Sequence, residues 1–320
     1  MTRYRMFDRS RLRLAPVEQR GHDLQATELK TLVEPSTLFQ HEDWDTFVQA
    51  ILQARDDGRP RILFFGAHLI KLGLSRFIID LIERGFITHL ATNGAGAIHD
   101  YELAVLGGTS ENVQRWIQVG QFGLWSETSS LNEIVQDASR RGEGLGEAMG
   151  RSLLDSKAPH KDISLAAAAY RLGIPFTVHA TIGGDITHQH PNCNGAAYGA
   201  SSYTDFLIFS AAIEQLQGGV SINLGTAVTG PEVYLKALSM ARNVAHRAGE
   251  TISQFTTAVF DLVSLPPNWR AEADKSSAGY YYRPWKTILV RTVTDGGTSF
   301  YFQGSHETTV PTLWASLVEP

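Results

Sequence analysis

Cysteine is almost absent: Cys193 is the single thiol among 320 residues. One thiol excludes an internal disulfide and a multi-cysteine metal cage, and it fits a reducing compartment, so a cytoplasmic location is expected. No stretch is long and apolar enough to span a bilayer. The N-terminus is charged from the start and lacks the apolar core of a signal peptide. Basic excess is missing too, because 28 Lys and Arg against 33 Asp and Glu give a formal charge of -5. That leaves no electrostatic footprint for nucleic acid or an anionic membrane, and a small-molecule partner is the expectation. Repeats and low-complexity tracts are also lacking. What is present is a composition 43% hydrophobic, which suits a folded chain with a sizeable core.

The first sixty residues are charged and mixed, with a helix expected over 44–54, and they end in breakers at 56–60. They read as an N-terminal helical extension (1–60) to a single α/β domain (61–320). Residues 62–65 form a short apolar run closed by Gly66, and 69–82 carry apolar residues at helical spacing: a strand, then a helix. The unit recurs with strands over 87–91, 176–179 and 220–224, a helix over 164–172, and another helix starting at Pro231. Buried strands alternating with helices predict a Rossmann-like parallel sheet with helices on both faces. A helical insert over 110–154 reads as a packed subdomain or a mobile cover. Near the end, 287–293, the turn Asp295-Gly296-Gly297, and 299–302 read as a hairpin, followed by a last helix after Pro311.

Several strands end in small or polar residues: Gly66-Ala67-His68, Thr92-Asn93-Gly94-Ala95-Gly96, Gly183-Gly184-Asp185 and Gly225-Thr226-Ala227. The carboxyl ends of parallel strands form the ligand crevice of such folds. Glycines there let backbone N–H groups approach phosphate, a pattern that suits a dinucleotide. The densest ionisable cluster is Asp185, His188 and His190. It can be read as a divalent metal site, as an anchor for a cationic substrate through Asp185, or as a loop whose histidines are satisfied by backbone; the anchor is preferred because no second cluster completes a coordination sphere. Lys286 follows a run of aromatic residues, Tyr280-Tyr281-Tyr282 and Trp285. Desolvation there would free its neutral amine for imine chemistry, although aromatic packing around a snorkelling lysine is the commoner arrangement.

These motifs, in order, resemble deoxyhypusine synthase over about residues 60–320. The run I-L-F-F-G-A-H-L-I-K-L-G-L-S-R, then I-T-H-L-A-T-N-G-A-G-A-I-H-D, is similar to that family's strand, L-I-x-x-G helix start and T-A-G-G-V-E-E-D segment. Gly184-Asp185 with His190 resembles its G-D followed by a histidine. Ile222-Asn223-Leu224-Gly225 resembles I-L-G-G-G, and Thr257-Ala258-Val259-Phe260-Asp261 resembles T-A-Q-E-F-D. Pro284-Trp285-Lys286 resembles W-G-K, with the tryptophan displaced by one residue. Gly304-Ser305-His306-Glu307 and Val310-Pro311-Thr312-Leu313 resemble A-D-A-S and F-P-L-L.

The resemblance implies a homotetramer with NAD at the strand ends, active sites at a dimer interface, oxidation of a polyamine to an imine, and capture by a lysine before transfer to an acceptor amine. Carried over, it makes Lys286 the nucleophile and Asp185 and Asp100 amine-binding carboxylates, with His99 beside them as a proton-transfer group. The NAD set would be Gly66, Ala67, His68, Thr92, Asn93, Gly94, Gly96, Gly225, Thr226, Thr257, Ala258, Asp261, His306 and Glu307. Substrate would meet Asp185, His188, His190, Glu232 and Trp285. Two departures stand out: His99-Asp100 replaces a glutamate pair, and Gly230-Pro231-Glu232 replaces K-H-H. They argue for a small amine other than the family's usual substrate. The alternatives are a metal-dependent hydrolase on Asp185, His188 and His190, and a non-catalytic tetrameric binding protein.

Overall fold

The apolar runs become strands buried on both faces, which is why they lack a polar side. The computed structural model describes residues 2–318. Six strands form one parallel sheet: β1 (Arg61–Phe65), β2 (His89–Asn93), β3 (Phe176–His179), β4 (Val220–Leu224), β5 (Thr256–Asp261) and β6 (Thr298–Gln303). In the sheet they lie in the order 3-2-1-4-5-6. This is the strand order of the doubly wound dinucleotide-binding fold, with its topological switch between β1 and β4.

Alternation along each strand divides the interior into two cores. Leu63 and Phe65 face one with Phe260 and Phe302, while Ile62 and Phe64 face the other with Phe209, Tyr234 and Val259. The first core is covered by α1 (Trp44–Asp56), α2 (His68–Lys71), α3 (Ser75–Glu83), α4 (Gly94–Leu106) and the C-terminal α11 (His306–Val318). Trp44 and Phe47 of α1 pack edge-on or tilted against Phe260 and Phe302 at 5.0–6.1 Å between centroids, so α1 belongs to this core. The insert holds α5 (Val113–Gln118), α6 (Ser130–Arg141) and α7 (Leu145–Asp155), and is followed by α8 (Leu165–Leu172). Val135, Met149 and Leu153 are fully buried, so α6 and α7 are packed against the body of the protein. The second core is covered by α9 (Gly195–Glu214) and α10 (Thr229–Arg247).

Two local expectations are corrected. The helix expected over 69–82 is divided into α2 and α3 by the Leu72–Leu74 turn. The C-terminal hairpin does not form: Pro284–Arg291 is π-helical, and β6 runs parallel to β5 with Tyr301 opposite Val259. Ile288-Leu289-Val290 looks like a strand because a short apolar run carries no periodicity that separates a strand from a buried helix. The π-helix is stitched to the sheet by two hydroxyls: Thr257 Oγ1 donates to the Ile288 carbonyl at 3.1 Å, and Ser299 Oγ to that of Leu289 at 2.7 Å.

The N-terminal segment crosses to the insert. Leu24–Gln25 pairs antiparallel with Gly108–Thr109, and Ala15 bridges Trp125. This ladder brings residues around 20 beside the carboxyl edge of the sheet.

Candidate active site at the carboxyl edge

At the switch point the ends of β1 and β4 touch. A Cβ on Gly66 would overlap the carbonyl oxygen of Gly225, and Gly225 itself sits at φ +62° with the His306 imidazole where its own Cβ would project. Only glycine permits this approach. Asp261 closes β5, and its carboxylate accepts from Tyr282 Oη at 2.6 Å. Two buried polar atoms near the switch, Asn223 Oδ1 and His306 Nδ1, have no hydrogen-bond partner among the described residues.

On the α4 side of this rim lies a cavity of about 240 Å³ lined by Arg20, Lys71, His99, Glu102, Glu111 and Asp185, with Ala95, Ile98, Val113 and Phe122 as apolar wall. Its floor is a buried ion pair. Arg20 donates from both terminal nitrogens to Glu102 at 2.9 and 3.0 Å. Glu102 also accepts from Thr109 Oγ1 at 2.6 Å and Thr128 Oγ1 at 2.7 Å. Despite burial, the Arg20 charge and these donors hold its carboxyl below the ordinary value, so it is ionised.

That ionised carboxylate fixes a tautomer. Thr109 has one hydroxyl proton and gives it to Glu102, so toward His99 Nδ1, 2.8 Å away, it can only accept. His99 therefore carries its proton on Nδ1 and keeps a lone pair on Nε2. Burial pushes the imidazole down to about 4, so it is neutral at physiological pH. The chain Arg20, Glu102, Thr109, His99 is a base with a built-in orienting group.

Asp185 forms another wall. Burial raises its carboxyl to about 6, and Oδ2 has no hydrogen-bond partner among the described residues. The carboxylate presses on the start of α4 so closely that a Cβ at position 94 would overlap it, which is why glycine stands there. His188 holds the loop: its Nδ1 accepts from the backbone N–H groups of Gly183 and Asp185 at 3.2 and 3.1 Å. Its proton is thereby placed on Nε2, 3.9 Å from Asp185 Oδ2. His190 is fully buried and donates from Nε2 to the Gly123 carbonyl at 2.6 Å. No group of three metal-ligating side chains comes together among the described residues, these three included.

The structure thus brings His99 and Asp185 together and disperses other expected residues. Asp100 is corrected: it turns away from the cavity and caps α8, accepting from Ser164 Oγ at 2.6 Å and from the Leu165 and Ala166 N–H groups at 2.7 and 3.2 Å. Thr257 and Ala258 are also corrected, since they lie buried near the start of β5, roughly 10 Å from its carboxyl end at ~3.3 Å per residue. Thr92 and Gly96 pack on each other beneath α4, and Thr92 Oγ1 donates to the Phe65 carbonyl. Trp285 is core, its Nε1 donating to the Trp269 carbonyl at 2.6 Å. Glu307 is on the surface, paired with Lys30. Lys286 is buried on the π-helix with Nζ 4.3 Å from the Tyr280 ring centre, outside the cavity. Glu232 pairs with Arg283 and Lys236.

Asn93 caps α4, accepting from the Gly96 N–H at 2.9 Å. Ala67 and His68 stay at the rim with Gly66, and Thr226 Oγ1 accepts from the Gly230 N–H at 3.0 Å at the start of α10. Arg20, Lys71, Thr109 and Glu111 were not among the expected site residues. Glu102 carried a usable signal, one turn after His99 on the same helix face.

A second, more open crevice of about 400 Å³ lies on the α9 and α10 side. It runs from His179 and Ala180 at the end of the edge strand β3 to Val228 and Thr229 at the start of α10. The start of α10 opens onto it.

No protein-family profile matches the chain, and no curated protein matches it in sequence. Solved structures do resemble it. A conserved putative LOR/SDH protein from Methanococcus maripaludis S2 is similar at 14% identity and a TM-score of 0.52, over 89% of this chain and 73% of that one. ArgZ, an arginine dihydrolase from the ornithine-ammonia cycle in cyanobacteria, is similar at 15% identity and a TM-score of 0.49, over 87% of this chain. This chain spans about a third of ArgZ, 33% of its length. A putative deoxyhypusine synthase from Entamoeba histolytica shows 9% identity and a TM-score of 0.42 over 86% of each chain. At such identities the likeness concerns the fold, an α/β architecture with a parallel six-stranded sheet between helices.

Proposed function

We propose that this protein is an NAD-dependent enzyme that oxidises a small amine to an imine in the cavity between His99 and Asp185. The observation that carries the reading is the pairing of a tautomer-fixed base with an unpartnered carboxylate in one cavity at the carboxyl edge of a dinucleotide-fold sheet. A substrate ammonium would sit on Asp185 through a charge-assisted hydrogen bond. His99 Nε2 would take one proton from it, leaving the amine lone pair free to form the C=N bond as hydride departs. The iminium keeps its positive charge opposite Asp185, and water or an acceptor amine can then attack it.

The residues fit a dinucleotide at the switch point. The Gly66 and Gly225 turns, the start of α10 and the 400 Å³ crevice would hold it, and Asn223 Oδ1 with His306 Nδ1 offers unpartnered groups for ribose or carboxamide. The turn after β1 has one glycine and opens a four-residue helix, so the α10 side is the better phosphate seat. Bound there, NAD would supply the hydride acceptor. Exposed Ile182, Tyr203 and Val228 ring this crevice and support the homotetramer expected from the sequence, with a neighbouring copy as cover; sedimentation velocity tests it.

The decisive experiment titrates the intact protein with NAD by calorimetry and then follows reduced-nicotinamide absorbance with a panel of small amines. Saturable NAD binding and amine-dependent reduction, both at wild type, with reduction lost in His99→Gln, are expected. A protein that binds no nucleotide overturns the reading.

A further inference from the structure

The cavity lining carries unpaired charge of both signs, and this restricts the substrate beyond "amine". Lys71, on α2, lines the same 240 Å³ space as Asp185, yet makes no salt bridge or side-chain hydrogen bond among the described residues. The other cation, Arg20, is neutralised by Glu102 and approached by Glu111 at 3.8 Å. Glu111 in turn accepts from Trp125 Nε1 at 3.0 Å and from the Gly123 N–H at 3.1 Å. After these internal pairings the Lys71 ammonium still has no hydrogen-bonding or ion-pair partner, and Asp185 keeps Oδ2 without one, among the described residues.

Resting on the amine reading above, we propose that the substrate is a small amino acid, its ammonium on Asp185 and its carboxylate on Lys71. A diamine or polyamine would place a second ammonium against Lys71. Like charges brought together in a partly buried cavity repel strongly, whereas a carboxylate in the same place is attracted. The volume is at the small end for ligand cavities, which suits an amino acid with a short side chain better than an extended chain.

The test is calorimetric titration of the NAD-loaded wild-type protein at pH 8 with free amino acids, each beside the amine that lacks its carboxylate. The amino acid should bind at least ~10-fold tighter, a difference of ~1.4 kcal/mol. Lys71→Met should erase that ratio while leaving affinity for the simple amine, and Lys71→Arg should restore it. Asp185→Asn should weaken both ligands. If the simple amines bind as well as the amino acids, the zwitterion inference falls and the amine reading stands. If neither binds, both fall. Circular dichroism of each variant separates lost binding from lost fold.

Discussion

Replacing Asp185 by asparagine should make the protein more stable and less able to bind its ligand. The carboxyl is nearly buried, with its side chain 11% exposed, and burial raises it from 3.8 to about 6. The folded state therefore binds this proton more tightly than the unfolded chain does. Stability from this group is fully present below pH 3.8, declines as pH rises toward about 6, and stays low above that. At ~1.4 kcal/mol per pH unit, the ionised group costs the native state about 3 kcal/mol at neutral pH. Asparagine has the same shape and removes the charge, but its buried N–H groups still need partners, so a gain of ~1–3 kcal/mol is expected. For a chain of this length that is a rise in Tm of roughly 2–6 °C. Thermal melts of wild type and Asp185→Asn between pH 4 and pH 8 isolate the effect, because every other titrating group is common to both. The difference should grow from near zero at pH 4 to its full value by pH 7. A variant less stable than wild type at pH 8, or a difference independent of pH, would refute the reasoning.

Other substitutions probe single contacts. Gly94→Ala pushes a Cβ into the Asp185 carboxylate, so affinity for an amine ligand should fall ~10-fold or more while NAD affinity holds, as calorimetry can show. Thr109→Val leaves His99 in place without the group that fixes its tautomer; kcat should drop ~10²-fold with KM little changed, and the pH profile of kcat should move. Lys286 lies outside the cavity, so Lys286→Met should turn over at the wild-type rate, and borohydride reduction of wild type with amine and NAD should leave Lys286 without a mass adduct.

The first four strands were readable as short runs rich in apolar residues, bounded by turn residues and separated by enough chain for a crossover; β5, Thr256–Asp261, was not expected as a strand. The last crossover was not readable, since Ile288-Leu289-Val290 satisfies a buried helix and a strand equally. Within the site, His99 and Asp185 stood out as ionisable residues after strands. Asp100 stood out equally and was misread, because neighbouring helical residues point ~100° apart: His99 faces the cavity while Asp100 faces α8. Arg20 and Thr109 had no local signal. They meet Glu102 through the ladder between Leu24–Gln25 and Gly108–Thr109, a pairing of two residues on each side that composition does not announce.

That ladder raises the question of why the cavity floor is an ion pair at all. Arg20 and Glu102 are each 1% exposed at the side chain, and a buried pair of this kind costs desolvation that apolar residues of similar volume would avoid. The role of Glu102 supplies a reason. It must stay ionised to take the Thr109 proton, since only then is His99 obliged to carry its own proton on Nδ1 and present Nε2 to the cavity. Stability and chemistry can accordingly be separated. Arg20→Met alone strands a buried carboxylate and should cost ~3–5 kcal/mol in denaturant melts, whereas adding Glu102→Leu should recover most of that loss. Turnover should not recover with it, because Thr109 is then free to donate to His99 and the imidazole loses its fixed tautomer. Recovery of both together would mean that the pair serves packing only and that His99 needs no orienting group.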